Sequence, residues 1–211
     1  LVTLSEYVER MPEDQKAIYY AAGNTLEQIK ALPQVEAVLA KGYEILYFPI
    51  PVDEFAVKNM MTFKDKEFKS VTAADLDLNT EEEKKALEEK SQENQSLFEI
   101  MQKALEGKVQ RVALSSRLKS HPVCLTSEGD LTLEMEKTLN AMPTDTKVQA
   151  KLVLELNPEH AVFEKLSGLD QETDSEKIQK YAKLLYNQAL LMENMPIDNP
   201  AEFSSLICEL M

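Results

Sequence analysis

Protein chemistry starts with side chains that can hold a metal, a proton or a covalent bond, and this sequence has few of them at useful spacing. His121 and His160 stand far from each other and from both cysteines, Cys124 and Cys208. Each histidine lies beside a proline or at a helix start, which predicts a turn or capping role rather than a ligand or general base. Glu159-His160 does not extend to an H-E-x-x-H site, the spacing that sets two imidazoles on one helical face. The cysteines form no C-x-x-C pair and lack a basic neighbour that would favour a thiolate. They read as buried, reduced thiols of a reducing compartment, the cytoplasm. Asp53-Glu54 are adjacent carboxylates, but neighbours at a helix start point in different directions. They suit the positive end of the helix dipole better than shared acid–base work. None of the five glycines falls in a G-x-x-x-x-G-K or G-x-G-x-x-G arrangement that would cradle phosphate. The reading is a chain with no catalytic residues, no cofactor and no metal of its own.

What remains is apolar surface. Hydrophobic residues make up 44% of the 211 positions and charged residues 28%, ordinary for a globular protein and enough for one large domain or two small ones. The net charge of −14 argues against nucleic acid, whose phosphates need a basic face. No apolar run approaches bilayer length, so no membrane partner is expected. Leu1 to Glu6 has neither the basic start nor the cleavage site of a secretory signal, and no initiator methionine is present. The chain is therefore expected to be part of something longer.

The elements that position this surface fall into two groups. Leu4 to Met11 has helical spacing, Ile18 to Ala22 reads as a buried strand, and Thr25 to Leu32 and Gln34 to Lys41 read as helices, the second closed by Gly42. Glu44 to Phe48 is a second strand and Pro51 to Met61 another helix. Phe63 to Phe68 suggests a tight turn between two extended pieces. This alternation predicts an α/β subdomain over 1–79 with a covered sheet. Thr80-Glu81-Glu82-Glu83 is a capping box that opens a long helix, solvated as far as Ser96 and buried from Leu97. Strands are expected at Val109–Leu114, Pro122–Thr126 and Lys151–Leu156. The domain 80–211 is predicted as α+β, with a short antiparallel sheet and C-terminal helices that form a dimeric four-helix bundle.

Three helices carry the functional argument. In Asp130 to Met142, the residues Leu131, Met135, Leu139 and Met142 lie on one face at helical spacing. The stripe either packs on its own sheet or is an exposed strip for unfolded chains, because methionine adapts to many partners. Leu133, off the stripe, would then supply the inward contact. Asp174 to Glu193 is apolar around most of its circumference, with Leu184, Leu185, Leu191 and Met192 among its residues. Such a helix needs cover on several sides, from its own chain or from a second copy. The last helix, after Pro200, shows Phe203, Leu206, Ile207 and Leu210 on one face and is too short to stand alone. Two such helices from each of two chains would make a four-helix bundle about a twofold axis, and a homodimer is expected.

The residues also resemble a known family. Leu4 to Met11 (LSEYVERM), Gln15 to Tyr20, Gly42 to Leu46, Val52 to Phe55 and Phe63 to Val71 (FKDKEFKSV) are similar, in order, to the late middle domain of the ninety-kilodalton heat-shock-protein chaperones. Arg111 to Pro122 (RVALSSRLKSHP), Leu154 to His160 (LELNPEH) and Ala189 to Leu191 continue the likeness into the C-terminal dimerisation domain. The ending Ile207 to Met211, without the acidic M-E-E-V-D tail, resembles bacterial members.

The resemblance implies a homodimeric, ATP-dependent chaperone that closes like a clamp around partly folded client proteins. ATP and Mg would belong to the full-length protein, in an upstream domain, so this fragment would not itself be an ATPase. It also implies two client-contacting places: Leu131, Met135, Leu139 and Met142 on one helix, and Glu54 and Phe55 on another. Thr138 and Lys58 depart from the family by being polar and charged where apolar and uncharged residues occur. The alternative reading is a purely structural homodimerisation module without client contacts.

Overall fold

The computed structural model describes residues 2–143 and 145–210. Among them are ten helices and two small sheets, and the chain divides into two compact units that interleave in sequence. One unit holds Leu1–Asp77 and Ser127–Ala150, the other Leu78–Thr126 and Lys151–Met211. The sequence places residues 127–150 after a single boundary at 79/80, whereas they pack with the first part of the chain.

The first unit begins with α1 (Leu4–Arg10), capped by Thr3 and Glu6, which bond each other's backbone amides. Strand β1 (Ile18–Ala22) is buried along its whole length, as expected of an apolar run with parallel neighbours on both sides. Helices α2 (Leu26–Lys30) and α3 (Val35–Ala40) lead to β2 (Ile45–Phe48), which pairs parallel with β1 in the register Tyr19 to Ile45. Gly42 ends this helical segment at φ +77, a backbone that a side chain resists. Helix α4 (Val52–Met60) then crosses to β3 (Thr62–Phe63) and β4 (Lys66–Ser70). β4 pairs parallel with the other edge of β1 and antiparallel with β3, giving the order β2-β1-β4-β3. The expected tight turn is Lys64-Asp65, both at positive φ, which matches the twist of a two-residue hairpin. Tyr7 ties α1 to the sheet. Its hydroxyl donates to the Glu44 carbonyl at 2.6 Å and accepts from Gln15 Nε2 at 2.9 Å and the Tyr19 amide at 3.2 Å. A buried phenol with its polar end satisfied fixes orientation as well as area.

The second unit opens on the Thr80–Glu83 capping box, but the single long helix of the sequence reading is two. α5 (Glu81–Glu93) and α6 (Gln95–Ala104) are separated at Asn94, whose backbone leaves the helical region at φ −109 and ψ 14. The Asn94 side chain donates to the Lys90 carbonyl at 2.8 Å, a local bond that competes with the helix ladder. β5 (Arg111–Leu114), β6 (Val123–Glu128), α7 (Leu133–Ala141) and β7 (Lys151–Leu156) follow, α7 belonging to the first unit. The sheet order is β5-β7-β6, and β5 pairs with β7 in parallel. The sheet is therefore mixed and not wholly antiparallel as expected: the connection from 115 to 150 is long enough to bring β7 back parallel to β5, while the Asn157 amide bonds the Pro122 carbonyl at 2.9 Å where the end of β7 meets the start of β6. α8 (Ala161–Ser167) is capped by His160, whose Nδ1 accepts the Val162 amide at 3.1 Å.

α9 (Ser175–Met192) packs on α6 and receives α10 (Pro200–Leu210). Asn194, at φ +53, turns the chain between the two. The Met195 amide reaches the Leu190 carbonyl at 2.8 Å and the Asn194 amide reaches Leu191 at 3.0 Å, the pair of bonds that closes a helix through a left-handed residue.

At the centre of this unit lies an ion pair the sequence reading missed. Arg117 and Glu155 are 3.1 Å apart and almost inaccessible. The Glu155 carboxylate also accepts from Ser115 Oγ at 2.7 Å and Thr126 Oγ1 at 2.9 Å. A lone acid within Leu152-Val153-Leu154-Glu155-Leu156 was the available signal that a buried cation must exist. Replacing Arg117 with Met leaves that acid uncompensated and is expected to cost about 3–5 kcal/mol in urea unfolding. A loss below about 1 kcal/mol would show that the hydroxyls alone satisfy Glu155.

Candidate functional site

α7 is shorter than its apolar pattern. Thr132 caps it, accepting the Met135 amide at 3.2 Å, so Leu131 precedes the helix and Met142 follows it as C-cap. Leu133, the off-stripe residue, is the buried one, at 4% exposure. Leu131, Met135 and Leu139 are half-buried, and Met142 is 46% exposed. The stripe is therefore neither core nor fully solvated; it forms a ridge on a helix anchored through another side chain.

The anchor continues into α4, which packs against α7. Glu54 and Lys58 stand one turn apart on one face of α4. Glu54 Oε2 accepts from Thr132 Oγ1 at 2.9 Å, and Lys58 Nζ donates to the Asp130 carbonyl at 2.6 Å. One hydroxyl thus caps α7 and binds α4 at once. The Tyr20 hydroxyl also bonds the Glu54 carboxylate. Glu54 is only 1% exposed, which corrects the expectation that it faces a client: its carboxylate is inside the unit, and its effect on the ridge is positional. Phe55, next to it, is half-exposed on the outer side. Thr132, Tyr20 and Lys58 were not legible as partners of Glu54, because residues so distant in sequence carry no periodic signal.

Burial is the main cause that raises the Glu54 carboxyl from 4.5 to about 7, against the bonds from Thr132 and Tyr20 and the charge of Lys58, which favour the anion. The nearby Glu134 carboxylate adds to the rise, while its own charge is paired with Lys137.

The apolar residues of the second unit are divided. Ile178, Tyr181, Ala182, Leu185, Tyr186, Ala189 and Leu190 of α9 are buried in this chain's own core. Leu185 and, on α10, Leu206 were expected at an interface; at 2% and 5% exposure they pack inside the chain instead. Leu191 and Ile207 stay outside at 50% and 37%, and Leu184, Met192, Phe203 and Leu210 are half-exposed. Ion pairs join the two helices at their rim, Lys180 to Glu209 at 3.1 Å and Lys183 to Glu202 at 3.2 Å.

Cys124 is buried and its thiol is pushed well up by burial, while Cys208, expected buried, is exposed on α10. Among the described residues no group of three or more His, Cys, Asp or Glu is placed to hold a metal ion, and no helix is long and apolar enough to cross a membrane.

This chain, with an apolar ridge on one unit and paired helices carrying outward apolar residues on the other, has known relatives. Residues 1–211 match the family model described as Hsp90 protein, and the chain belongs to that family. It is 54% identical over 211 residues to the chaperone protein HtpG of Bacillus velezensis and 52% identical to that of Bacillus subtilis. The Clostridium perfringens chaperone protein HtpG is likewise 54% identical over the whole chain. The chain spans about a third of these relatives' length: 34% of the two Bacillus proteins and 33% of the clostridial one.

The raised carboxyl of Glu54 sets a pH dependence. Between pH 4.5 and about 7 the unfolded chain releases a proton that the folded chain keeps, so stability falls as pH rises through this window. The total is about 3 kcal/mol, at about 1.4 kcal/mol for each tenfold change in proton concentration. Glu54→Gln should flatten this slope and leave stability below pH 4.5 nearly unchanged, read from urea midpoints at several pH values. An undiminished slope in that variant would exclude Glu54 as its source.

Proposed function

We propose that this chain is the client-contacting, self-associating part of an ATP-dependent chaperone that assists protein folding in the cytoplasm. Its partners are partly folded proteins and a second copy of itself; neither nucleic acid nor membrane is a partner. ATP and Mg serve the nucleotide-binding part of the full-length protein and not this chain. The observation that carries the reading is the arrangement of α7, where Leu133 provides the inward contact and Leu131, Met135, Leu139 and Met142 are left at the surface. Flexible methionines on a ridge suit partners that share no sequence. Phe55 adds an aromatic edge on α4, with Glu54 holding the two helices together. Membership of the Hsp90 protein family and relatives named as chaperones support the same reading.

Self-association uses Leu184, Leu191 and Met192 of α9 with Phe203, Ile207 and Leu210 of α10, facing their copies across a twofold axis as a four-helix bundle. Leu185 and Leu206 pack behind this face.

Replacing Leu131, Met135 and Leu139 together with serine should weaken binding of a reduced, carboxymethylated protein by about tenfold in a chain that still folds, at a cost of about 2–4 kcal/mol for three partly buried side chains. If the chain is instead a purely structural dimerisation module, the same replacement should leave binding by the folded variant unchanged. Sedimentation velocity tests the second surface. The unaltered chain should sediment as a dimer and the Leu191→Arg, Ile207→Arg variant as a monomer. A monomer at every concentration of the unaltered chain would remove the bundle from the reading.

A further inference from the structure

Strand β1 has parallel neighbours reached in opposite directions. The chain leaves β1 for β2 on one side, then crosses back through α4 to β4 on the other. Open sheets leave room for ligands where the direction reverses in this way. A cavity of about 360 Å³ lies at this boundary, between Tyr20 of β1, Ser70 at the end of β4, Val57 of α4 and Thr132, the cap of α7. That volume is within the usual range for a bound small molecule or side chain.

Met61 stands at the cavity and is 72% exposed, at φ 61 and ψ −55. This is a γ-turn conformation, strained for any residue with a side chain. Two bonds hold it: its amide to the Val57 carbonyl at 3.0 Å, and its carbonyl accepting the Phe68 amide at 3.1 Å. Together they join α4 to β3 with no loop. Glycine would make the same join with less strain, so packing within the fold does not account for an exposed methionine here.

The charges around the cavity limit what enters it. The Lys58 ammonium is held by the Asp130 carbonyl and the Lys69 ammonium by the Asp75 carboxylate, each at 2.6 Å. Among the described residues no cation pairs with the carboxylates of Glu67 or Asp130. Both lysines are therefore engaged while acid is left over, which opposes a phosphate or other small anion. A metal ion has no suitable ligand group among the described residues. What fits is an apolar group carried by a chain of neutral amides with positive charge beside it.

We propose that this cavity seats one apolar side chain of an extended polypeptide segment whose neighbouring residues are basic. The assignment rests on the client-contact reading and gives it a substrate class. Thr132 caps the helix that bears the ridge, and Leu131 adjoins it, so a segment lying along Leu139, Met135 and Leu131 reaches the cavity at the start of α7. The Met61 thioether adapts to the side chain that enters.

The test uses the full chain and fluorescein-labelled nonapeptides read by anisotropy: a central leucine flanked by lysines, a serine-centred version and a glutamate-flanked version. The leucine–lysine peptide should bind at least about fivefold more tightly than either. Met61→Gly should weaken it by about fivefold with a melting midpoint no lower than that of the unaltered chain, because strain is relieved as the contact is lost. Glu67→Lys should reverse the preference between lysine and glutamate flanks. Equal binding of the leucine and serine peptides, or unchanged affinity in both variants, overturns the cavity assignment. If in that case the serine triple variant of the ridge still loses the carboxymethylated protein, the client surface stands without the cavity. If the unaltered chain captures neither probe, both readings fall.

Discussion

A carboxylate removed from water must be given donors, and the first unit is arranged around that requirement at Glu54. Thr132 supplies one donor with the same hydroxyl that accepts the first-turn amide of α7, so the start of one helix is fixed by a carboxyl group on another. Lys58, a turn further along α4, holds the Asp130 carbonyl just before that start. With both ends of the Asp130–Thr132 segment tied, Leu133 is directed inward and the ridge outward. The apolar surface is thus a consequence of polar bonds, which have a direction that burial of area lacks.

The second unit solves a different problem. α9 is apolar around most of its circumference, and α6 takes the larger share of it. α10 arrives after the Asn194 turn, docks through Leu206 and keeps Ile207 out. The Arg117–Glu155 pair gives this core a polar centre at which Ser115 and Thr126 converge from neighbouring strands.

Local signals were legible in the residue pattern. β1 and β7 fall where their apolar runs place them, the capping box at Thr80 forms with both bonds, and His160 caps a helix as its position beside a helix start suggests. Each depends on residues within a few positions of one another, where periodicity and side-chain chemistry act directly. The break at Asn94 was local too, but its asparagine lies inside a charged run that reads equally well as a continuous helix. The membership of residues 127–150 in the first unit was not legible, because it rests on bonds to Glu54 and Lys58 more than seventy positions away in the chain.

By itself, then, the sequence determined which segments are helical or extended and which stripes are apolar. Only the tertiary structure decided which residues turn inward: Leu133 rather than the stripe of Leu131, Met135 and Leu139, Leu206 rather than Ile207, and Glu54 beside an outward Phe55. The physical reason is that helical periodicity fixes the angles between side chains on one element but not the element's rotation about its own axis. That rotation is set by distant hydroxyls, carbonyls and charges that must be satisfied once water has left.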